Sequence, residues 1–238
     1  MIRSLFVWTV FGVFNTLFWI VIAAFLSFLP RGKKLIHRYV AVPWARIILW
    51  GNGVRVTVLG LEASDNDGAY IFIPNHASFF DIFTLLAYLP AEFKFIFKEE
   101  IMRVPLLGTA MKWAGYLSIA RSSPAKSRRT IKEAIDTAKK GTSLVIFAEG
   151  TRSTDGNLQP LKRGAFQLAL GSGCPIIPVA IKGSHAIMPK GSFILKKGAI
   201  TLHLGNPIPT ADYTRGTMSN LKDRVTLSLR QMLEEEER

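Results

Sequence analysis

The least polar part of the chain comes first. From Ser4 to Pro30 there are 27 residues without a charge, rich in Phe, Leu, Ile, Val and Trp. As a helix rising about 1.5 Å per residue, this stretch reaches roughly 40 Å, ample for a ~30 Å hydrocarbon core. The following segment, "LIHRYVAVPWARIILW", sets Ile36, Val40, Trp44 and Ile47 at helical spacing, with Arg38 and Arg46 on other faces and Pro43 as a point of kinking. Such a basic, Trp-bearing helix suits a membrane interface, and it equally suits packing on the rest of the protein as ordinary core.

Past residue 52 the pattern shortens and alternates. Seven apolar runs predict strands: "VRVTVLG" (54–60), "AYIFIP" (69–74), "EFKFIF" (92–97), "YLSIA" (116–120), "SLVIFA" (143–148), "PIIPVAI" (175–181) and "AITLHLG" (199–205). Helical patterns separate several of them: "SFFDIFTLLAYL", "PLLGTAMKWAG", "KSRRTIKEAIDTAKK" and "RGAFQLALGS". The chain closes on "SNLKDRVTLSLRQMLEEEER", a surface helix with a solvated acidic end. Strands alternating with helices predict an α/β fold, a largely parallel central sheet of about seven strands covered by helices. Two units follow: residues 1–50 as N-terminal membrane-anchoring helices, and residues 51–238 as an α/β domain.

Composition sharpens the choice of partner. The 30 Lys and Arg outnumber 17 Asp and Glu, a formal charge of +13 that fits nucleic acid, anionic lipid or phosphorylated ligands. A 49% hydrophobic content and a positive mean hydropathy turn that choice toward an anionic membrane surface and away from nucleic acid. A single cysteine, Cys174, excludes a disulfide framework and a multi-cysteine zinc site, and its place at the mouth of an apolar run reads as a buried structural thiol. The opening segment is too long for a signal-peptide core, and "SFLPRGKK" follows it in place of a small-residue cleavage site, which predicts a retained anchor. Arg31, Lys33, Lys34 and Arg38 crowd its downstream end against Arg3 upstream, so the positive-inside rule puts the domain at the cytoplasmic face of the inner (cell) membrane. Gly12 and Asn15 near the middle of the segment, with a second helix behind it, favour immersion in one leaflet over a full span.

Several chemistries lack their motifs. There is no phosphate-binding G-x-x-x-x-G-K-[ST], no G-x-G-x-x-G between strand and helix, and no G-x-S-x-G elbow. His37, His76, His185 and His203 form no short metal-ligand pair, so no metal is expected; His185 in a loop and His203 in a strand read as structural. "NHASFFD" (75–81) stands apart, because it lies between the second strand and the next helix, where open α/β sheets place their ligand crevice. Ser78-x-x-Asp81 is a capping-box pattern, so Asp81 can satisfy helix N-terminal amides. A side chain in a first helical turn also points back toward the preceding loop, so Asp81 can hold the imidazole of His76 and stabilise its protonated form. One carboxylate can do both. After the fifth strand, "AEGTRS" adds Glu149, Gly150, Thr151 and Arg152, a glycine that lets backbone approach a ligand and an arginine that forks onto phosphate oxygens. Lys162 and Arg163 at the next helix start add positive charge.

At these residues the sequence resembles the glycerolipid acyltransferases, most closely the bacterial 1-acyl-sn-glycerol-3-phosphate (lysophosphatidic acid) acyltransferases. The N-H-x-x-x-x-D hallmark is Asn75-His76…Asp81. A K-x-E-L-x-x-x-P-x-x-G block matches at Lys98, Glu100, Pro105 and Gly108, with Ile101 for leucine. The F-P-E-G-T-R-S block is Phe147–Ser153, with Ala148 for proline, and "IPVAI" around Pro178 matches a V-P-[VI] element. The "IAR" ending at Arg121 departs from the commoner aspartate or asparagine step. The similarity covers about residues 54–210. It implies transfer of an acyl chain from acyl-CoA or acyl carrier protein to the sn-2 hydroxyl of lysophosphatidic acid, giving phosphatidic acid, with no cofactor. By the same resemblance His76 is the base and Asp81 its orienting partner. Glu149, Gly150, Thr151 and Arg152 hold the phosphate side, Lys98, Arg121 and Lys162 serve substrate binding, and a backbone amide near Lys98 faces the oxyanion. The rival readings are an acyltransferase for glycerol-3-phosphate, a lysophospholipid or a lyso-aminolipid, and a non-enzymatic basic binding protein.

Overall fold

Two of the predicted strands, "IFIP" and "SLVI", are apolar or small at every position, and such strands need cover on both faces. They become β2 (Ile71–Pro74) and β5 (Ser143–Ile146), buried throughout, at the centre of the sheet. Around them lie β1 (Val54–Leu59), β3 (Phe93–Lys98), β4 (Leu117–Ile119), β6 (Ile176–Lys182) and β7 (Gly198–Leu204). The computed structural model describes residues 1–29, 32–61, 68–120 and 123–235. Among these residues the strands form one sheet in the order β1-β7-β6-β2-β5-β3-β4. β6, β2, β5, β3 and β4 run parallel; β7 is antiparallel to β6, and β1 is parallel to β7. The alternating burial of β1, Val54 in and Arg55 out, suits its position at the edge.

Each face of the sheet has its own core. Helix Phe80–Tyr88, which follows β2, packs Phe80, Phe83 and Leu85 with Phe72 and Val145 on one face. Helices Pro124–Lys139, Arg163–Ser172 and Met218–Glu234 bring Ala134, Phe166 and Leu221 to Ile71, Leu144 and Ile176 on the other. The chain therefore leaves β2 toward one face and β5 toward the opposite one. Where neighbouring strands diverge in this way, a crevice opens beyond their carboxyl ends.

The N-terminal segment lies along the first face. A helix runs over Ile2–Ser27 with a π-helical stretch at Trp8–Phe14. Near its start, Arg3 donates to Leu195 O (2.8 Å) and Asn52 Oδ1 (3.0 Å). Midway, Asn15 donates to Trp44 O (3.3 Å) and Thr16 Oγ1 accepts from Trp44 Nε1 (2.9 Å). Toward its end, Ala23 is buried with Ile36, Val40 and Ala114. Its outward side exposes Leu5, Phe6, Phe14, Phe18 and Phe25.

The segment behind it is helical over Gly32–Ile36, widens to a π-helix over His37–Ala41, and continues as Val42–Asn52. Pro43 lies in the first turn of that last part, and the wider turn ahead of it relieves the clash of its ring with the carbonyl four residues back. Ile36 and Val40 are buried and Trp44 meets Phe83 edge-on at 5.3 Å, so the predicted apolar stripe packs on the domain as core. His37 is also buried, its Nδ1 3.2 Å from the Tyr116 hydroxyl, and burial lowers its pKa to about 4, which keeps the ring neutral at physiological pH.

Asn52 holds both N-terminal helices to the domain. It is fully buried, accepts from Arg3 and donates through Nδ2 to Lys196 O at 2.9 Å. Asn52→Leu keeps the branched shape of the side chain but leaves the Lys196 carbonyl and an Arg3 N–H without their partner, so a stability loss of about 2 kcal/mol is expected in denaturant melts in detergent. An unchanged midpoint would mean that the tether adds nothing to the fold.

Candidate active site

The site begins with a side chain that imitates a strand. Where β2 ends, the buried Asn75 donates through Nδ2 to Ile181 O (3.1 Å) and accepts from Ile181 N–H through Oδ1 (2.7 Å). This amide pairing continues the β2–β6 register past Pro74 and sets where the turn starts. The next residue is His76. Its backbone N–H donates to Glu149 Oε1 at 2.6 Å, and its carbonyl accepts from Ser153 N–H at 2.7 Å. The loops after β2 and β5 are thereby joined through the main chain of one histidine.

The imidazole is held as tightly. His76 Nδ1 lies 2.8 Å from Asp81 Oδ2, which also accepts from the N–H groups of Ala77 (2.7 Å) and Ser78 (2.8 Å). Asp81 is fully buried in the first turn of its helix, so it caps and orients at once. Ser78 departs from the capping-box pattern: its hydroxyl accepts from Phe80 N–H (3.2 Å) and donates to Met188 O (2.8 Å). The His76 ring stacks on Phe147 with centroids 3.8 Å apart and planes 21° apart, and Phe147 stacks in turn on Phe95 at 6.2 Å. With Nδ1–H given to Asp81, the lone pair is on Nε2, and 13% of the side chain reaches the surface.

Glu149 is almost wholly buried, and both its oxygens are occupied: Oε1 by His76 N–H and Oε2 by Gln159 N–H at 3.0 Å. Burial raises its pKa to about 7; the two amides pull it down, and the nearby Asp81 carboxylate adds to the rise. Gly150 has φ 79°, a conformation that favours glycine, and Lys162 crosses the loop there, its Nζ 2.7 Å from where a Cβ would lie. Thr151 is exposed, and its hydroxyl accepts from Lys190 Nζ at 3.2 Å. The Arg152 guanidinium lies over the Phe79 ring, 3.9 Å from its centroid; partial burial lowers its pKa while Asp81 acts in the opposite sense. Arg152, Lys162 and Lys190 thus surround the Gly150–Thr151 turn beside His76.

Two predicted residues stand outside this group. Lys98 is at the carboxyl end of β3, on the same sheet edge, and pairs with Glu100 at 3.0 Å in an exposed position. Arg121 lies outside the described residues. His185, expected in a loop, is in the short helix Ser184–Ile187, its Nε2 3.2 Å from Thr154 O. Among the described residues no group of three or more His, Cys, Asp or Glu is placed to hold a metal ion. Sequence patterns missed Lys190, Phe147 as the stacking partner of His76, and Gln159. Lys190 follows β6, the strand beside β2, and the rule that crevices open beyond strand ends gave a reason to search there.

Residues 55–182 match the Acyltransferase family, and the chain belongs to it. Among curated relatives, the chloroplastic 1-acyl-sn-glycerol-3-phosphate acyltransferase of Brassica napus is 36% identical over 186 residues, 77% of this chain and 54% of that protein. The chloroplastic enzyme of that name from Arabidopsis thaliana is 37% identical over 185 residues, 77% of this chain and 51% of that one. The chain thus spans about half the length of these relatives. The crystal structure of PlsC, the 1-acyl-sn-glycerophosphate (LPA) acyltransferase of Thermotoga maritima, shares the fold with a TM-score of 0.81 at 24% identity, covering 98% of this chain and 97% of that one.

The raised pKa of Glu149 has a defined sign. Its folded value, about 7, lies above its ordinary 4.5, so the protonated form favours the folded state and stability from this group declines as pH rises between those values. Glu149→Gln removes that dependence. Its melting temperature should fall less than that of the wild type between about pH 5 and about pH 8, although its amide nitrogen opposes Gln159 N–H and should loosen the turn. Parallel thermal melts of the two proteins check this, and equal pH slopes would remove Glu149 as the titrating group.

Proposed function

We propose that the protein transfers an acyl chain from a thioester, acyl-CoA or acyl carrier protein, to the sn-2 hydroxyl of lysophosphatidic acid, giving phosphatidic acid for phospholipid synthesis. The observation that carries this reading is the His76–Asp81 pair, whose main chain is bonded to the loop around which three cations gather. The family and the names of its relatives support the choice of substrate.

In this reading the phosphate of the acceptor sits against Arg152, Lys162 and Lys190, with the N–H groups of the Gly150–Thr151 turn beside them. That leaves the sn-2 hydroxyl next to His76. Nε2 takes the hydroxyl proton as the oxygen attacks the thioester carbonyl carbon, and Asp81 stabilises the imidazolium. The tetrahedral oxyanion is met by a backbone amide near Lys98. Collapse breaks the C–S bond, and the imidazolium returns its proton to the leaving thiolate. Glu149, with both oxygens given to backbone amides, braces the two loops and does not bind phosphate. Lys98, at the carboxyl end of β3, adds positive charge along the same sheet edge.

The acceptor is a single-chain amphiphile, so the enzyme works at a membrane. The helix Ile2–Ser27 is bonded to the domain near its start through Arg3 and packed on it near its end through Ala23. A helix held to one domain along its whole length lies flat on that domain's side of the bilayer. Its exposed phenylalanines then enter one leaflet as a monotopic anchor, and the basic residues after it point to the cytoplasmic face.

Acyl transfer in detergent, followed by CoA or carrier-protein thiol release, tests the reading. Asp81→Asn should lower kcat by about a thousandfold, and His76→Ala by at least as much, with the fold retained. Arg152→Ala should raise the KM for lysophosphatidic acid about tenfold, with incomplete recovery in Arg152→Lys because an ammonium does not fork. Lys190→Ala should raise the same KM and leave the thioester KM alone. Faster turnover of glycerol-3-phosphate or a lyso-aminolipid would move the protein to a sibling activity, and absence of thiol release with every acceptor would exclude an acyltransferase.

A further inference from the structure

Far from the N-terminus in sequence, residues 188–197, "MPKGSFILKK", display an apolar pair that nothing in the fold covers. Phe193 is 78% exposed and Ile194 53% exposed, while the next residue, Leu195, is buried. Lys190 precedes the pair and Lys196 and Lys197 follow it, all exposed. The two apolar side chains thus stand between cations.

Several backbone groups of this loop are paired, most of them with the N-terminal helices. Trp8 Nε1 donates to Phe193 O at 3.0 Å, and Arg3 Nη1 donates to Leu195 O at 2.8 Å. Leu195 N–H donates to Ser4 Oγ at 3.0 Å, and Asn52 Nδ2 donates to Lys196 O at 2.9 Å. Within the loop, Ile194 N–H donates to Ser192 Oγ (3.0 Å) and Lys196 N–H to Ile187 O (3.0 Å). Irregular backbone enters a low-dielectric environment only when its polar groups are paired within the protein. The Phe193 carbonyl and the Ile194 N–H meet that requirement, and the Phe193 and Ile194 side chains face outward.

We propose that residues 190–197 form a second membrane-inserting element, in which Phe193 and Ile194 enter the leaflet beside the N-terminal helix and Lys196 and Lys197 engage anionic lipid headgroups. The inference rests on the monotopic placement proposed above and adds to it a part of the α/β domain distant in sequence. Three features select a lipid surface as the partner. The loop is bonded through Arg3, Ser4 and Trp8 to the N-terminal helix, whose outward side exposes Leu5 and Phe6. Its charges complement an anionic surface. Lysine stems can lie along apolar surface and keep their ammonium groups in the headgroup layer. The element also has a consequence for the site, because Lys190, at its start, is bonded to Thr151. Lipid contact and the cation cluster are then on one short loop, and an acceptor leaving the same leaflet meets Lys190 first.

The test uses the full chain in vesicles of equimolar phosphatidylcholine and phosphatidylglycerol. Single cysteines in a Cys174→Ala background, at Phe193→Cys, Phe14→Cys and Lys132→Cys, carry an environment-sensitive fluorophore. Position 14 reports the helix, and position 132 lies on helix Pro124–Lys139 over the opposite face of the sheet. Probes at 193 and 14 should both shift to the blue and be quenched by aqueous iodide about fivefold less than the probe at 132. Protection at 14 with full quenching at 193 overturns the inference and leaves the anchor intact, whereas full quenching at both overturns the two together. A paired substitution, Phe193→Ser with Ile194→Ser, changes only exposed side chains. It should raise the KM for vesicle-embedded acceptor about tenfold while turnover of a short-chain, water-soluble acceptor stays constant. Unchanged KM on vesicles, or protection at 193 that requires acyl carrier protein in place of lipid, would also overturn it.

Discussion

One buried carboxylate holds the site together. Glu149 ties the backbone of His76 to that of Gln159, and Ser153 returns a second hydrogen bond to the His76 carbonyl. The loops that leave β2 and β5 depart toward opposite faces of the sheet, and nothing in their local sequence requires them to meet. A buried acid with two amide donors supplies that requirement, because leaving either its oxygens or those N–H groups unpaired in the interior is costly. The constraint also opposes itself. Burial lifts Glu149 to about 7 against the pull of the two amides, so the burial that accompanies the brace makes its ionised form a cost to stability at neutral pH. Sites of this kind give up stability for geometry.

Around that brace, the histidine is positioned by three independent contacts. Its main chain is pinned by the loop after β5, its Nδ1 by Asp81, and its ring face by Phe147. Asp81 is itself fixed by two amides of the turn ahead of its helix, so its hold on that turn and its orienting function depend on the same oxygen. Removing the carboxylate therefore disturbs the turn as well as the ring. The cations approach from three separate places: Arg152 on the loop after β5, Lys162 at the start of the next helix, and Lys190 beyond β6.

The N-terminal helices meet the same structural logic at a larger scale. A segment apolar enough to enter a bilayer is held lengthwise against the sheet by Arg3, Thr16 and Ala23, at positions spread along its length. Polar side chains inside it, Asn15 and Thr16, spend their hydrogen bonds on Trp44 of the helix behind it. Its Arg3, Asn15 and Thr16 bond to the protein, and Phe6, Phe14, Phe18 and Phe25 face away. That division lets an apolar helix be part of an α/β domain and still present an apolar surface outward.

Local pattern and tertiary structure divided the work along a physical line. Period-two and period-3.6 apolar patterning located all seven strands to within a few residues, and helix Arg163–Ser172 at its observed ends, because burial of one face or two leaves its mark on neighbouring residues. The nearness of His76 and Asp81 was legible for the same reason, since five residues across a strand-to-helix turn bring them together by local geometry alone. Other features came only with the fold. The reversal of β7 against β6, the packing of Ile36, Val40 and Trp44 inward, the use of Asn75 as a strand extension and the arrival of Lys190 at Thr151 all join residues far apart in the chain. Glu149 showed the limit most plainly: sequence put an acid beside an arginine expected to bind phosphate, but only tertiary contact decided that its oxygens would meet two amides. Periodicity records whether a side chain is buried, whereas the partner it is buried against is set by strand order and helix placement, which no local stretch contains.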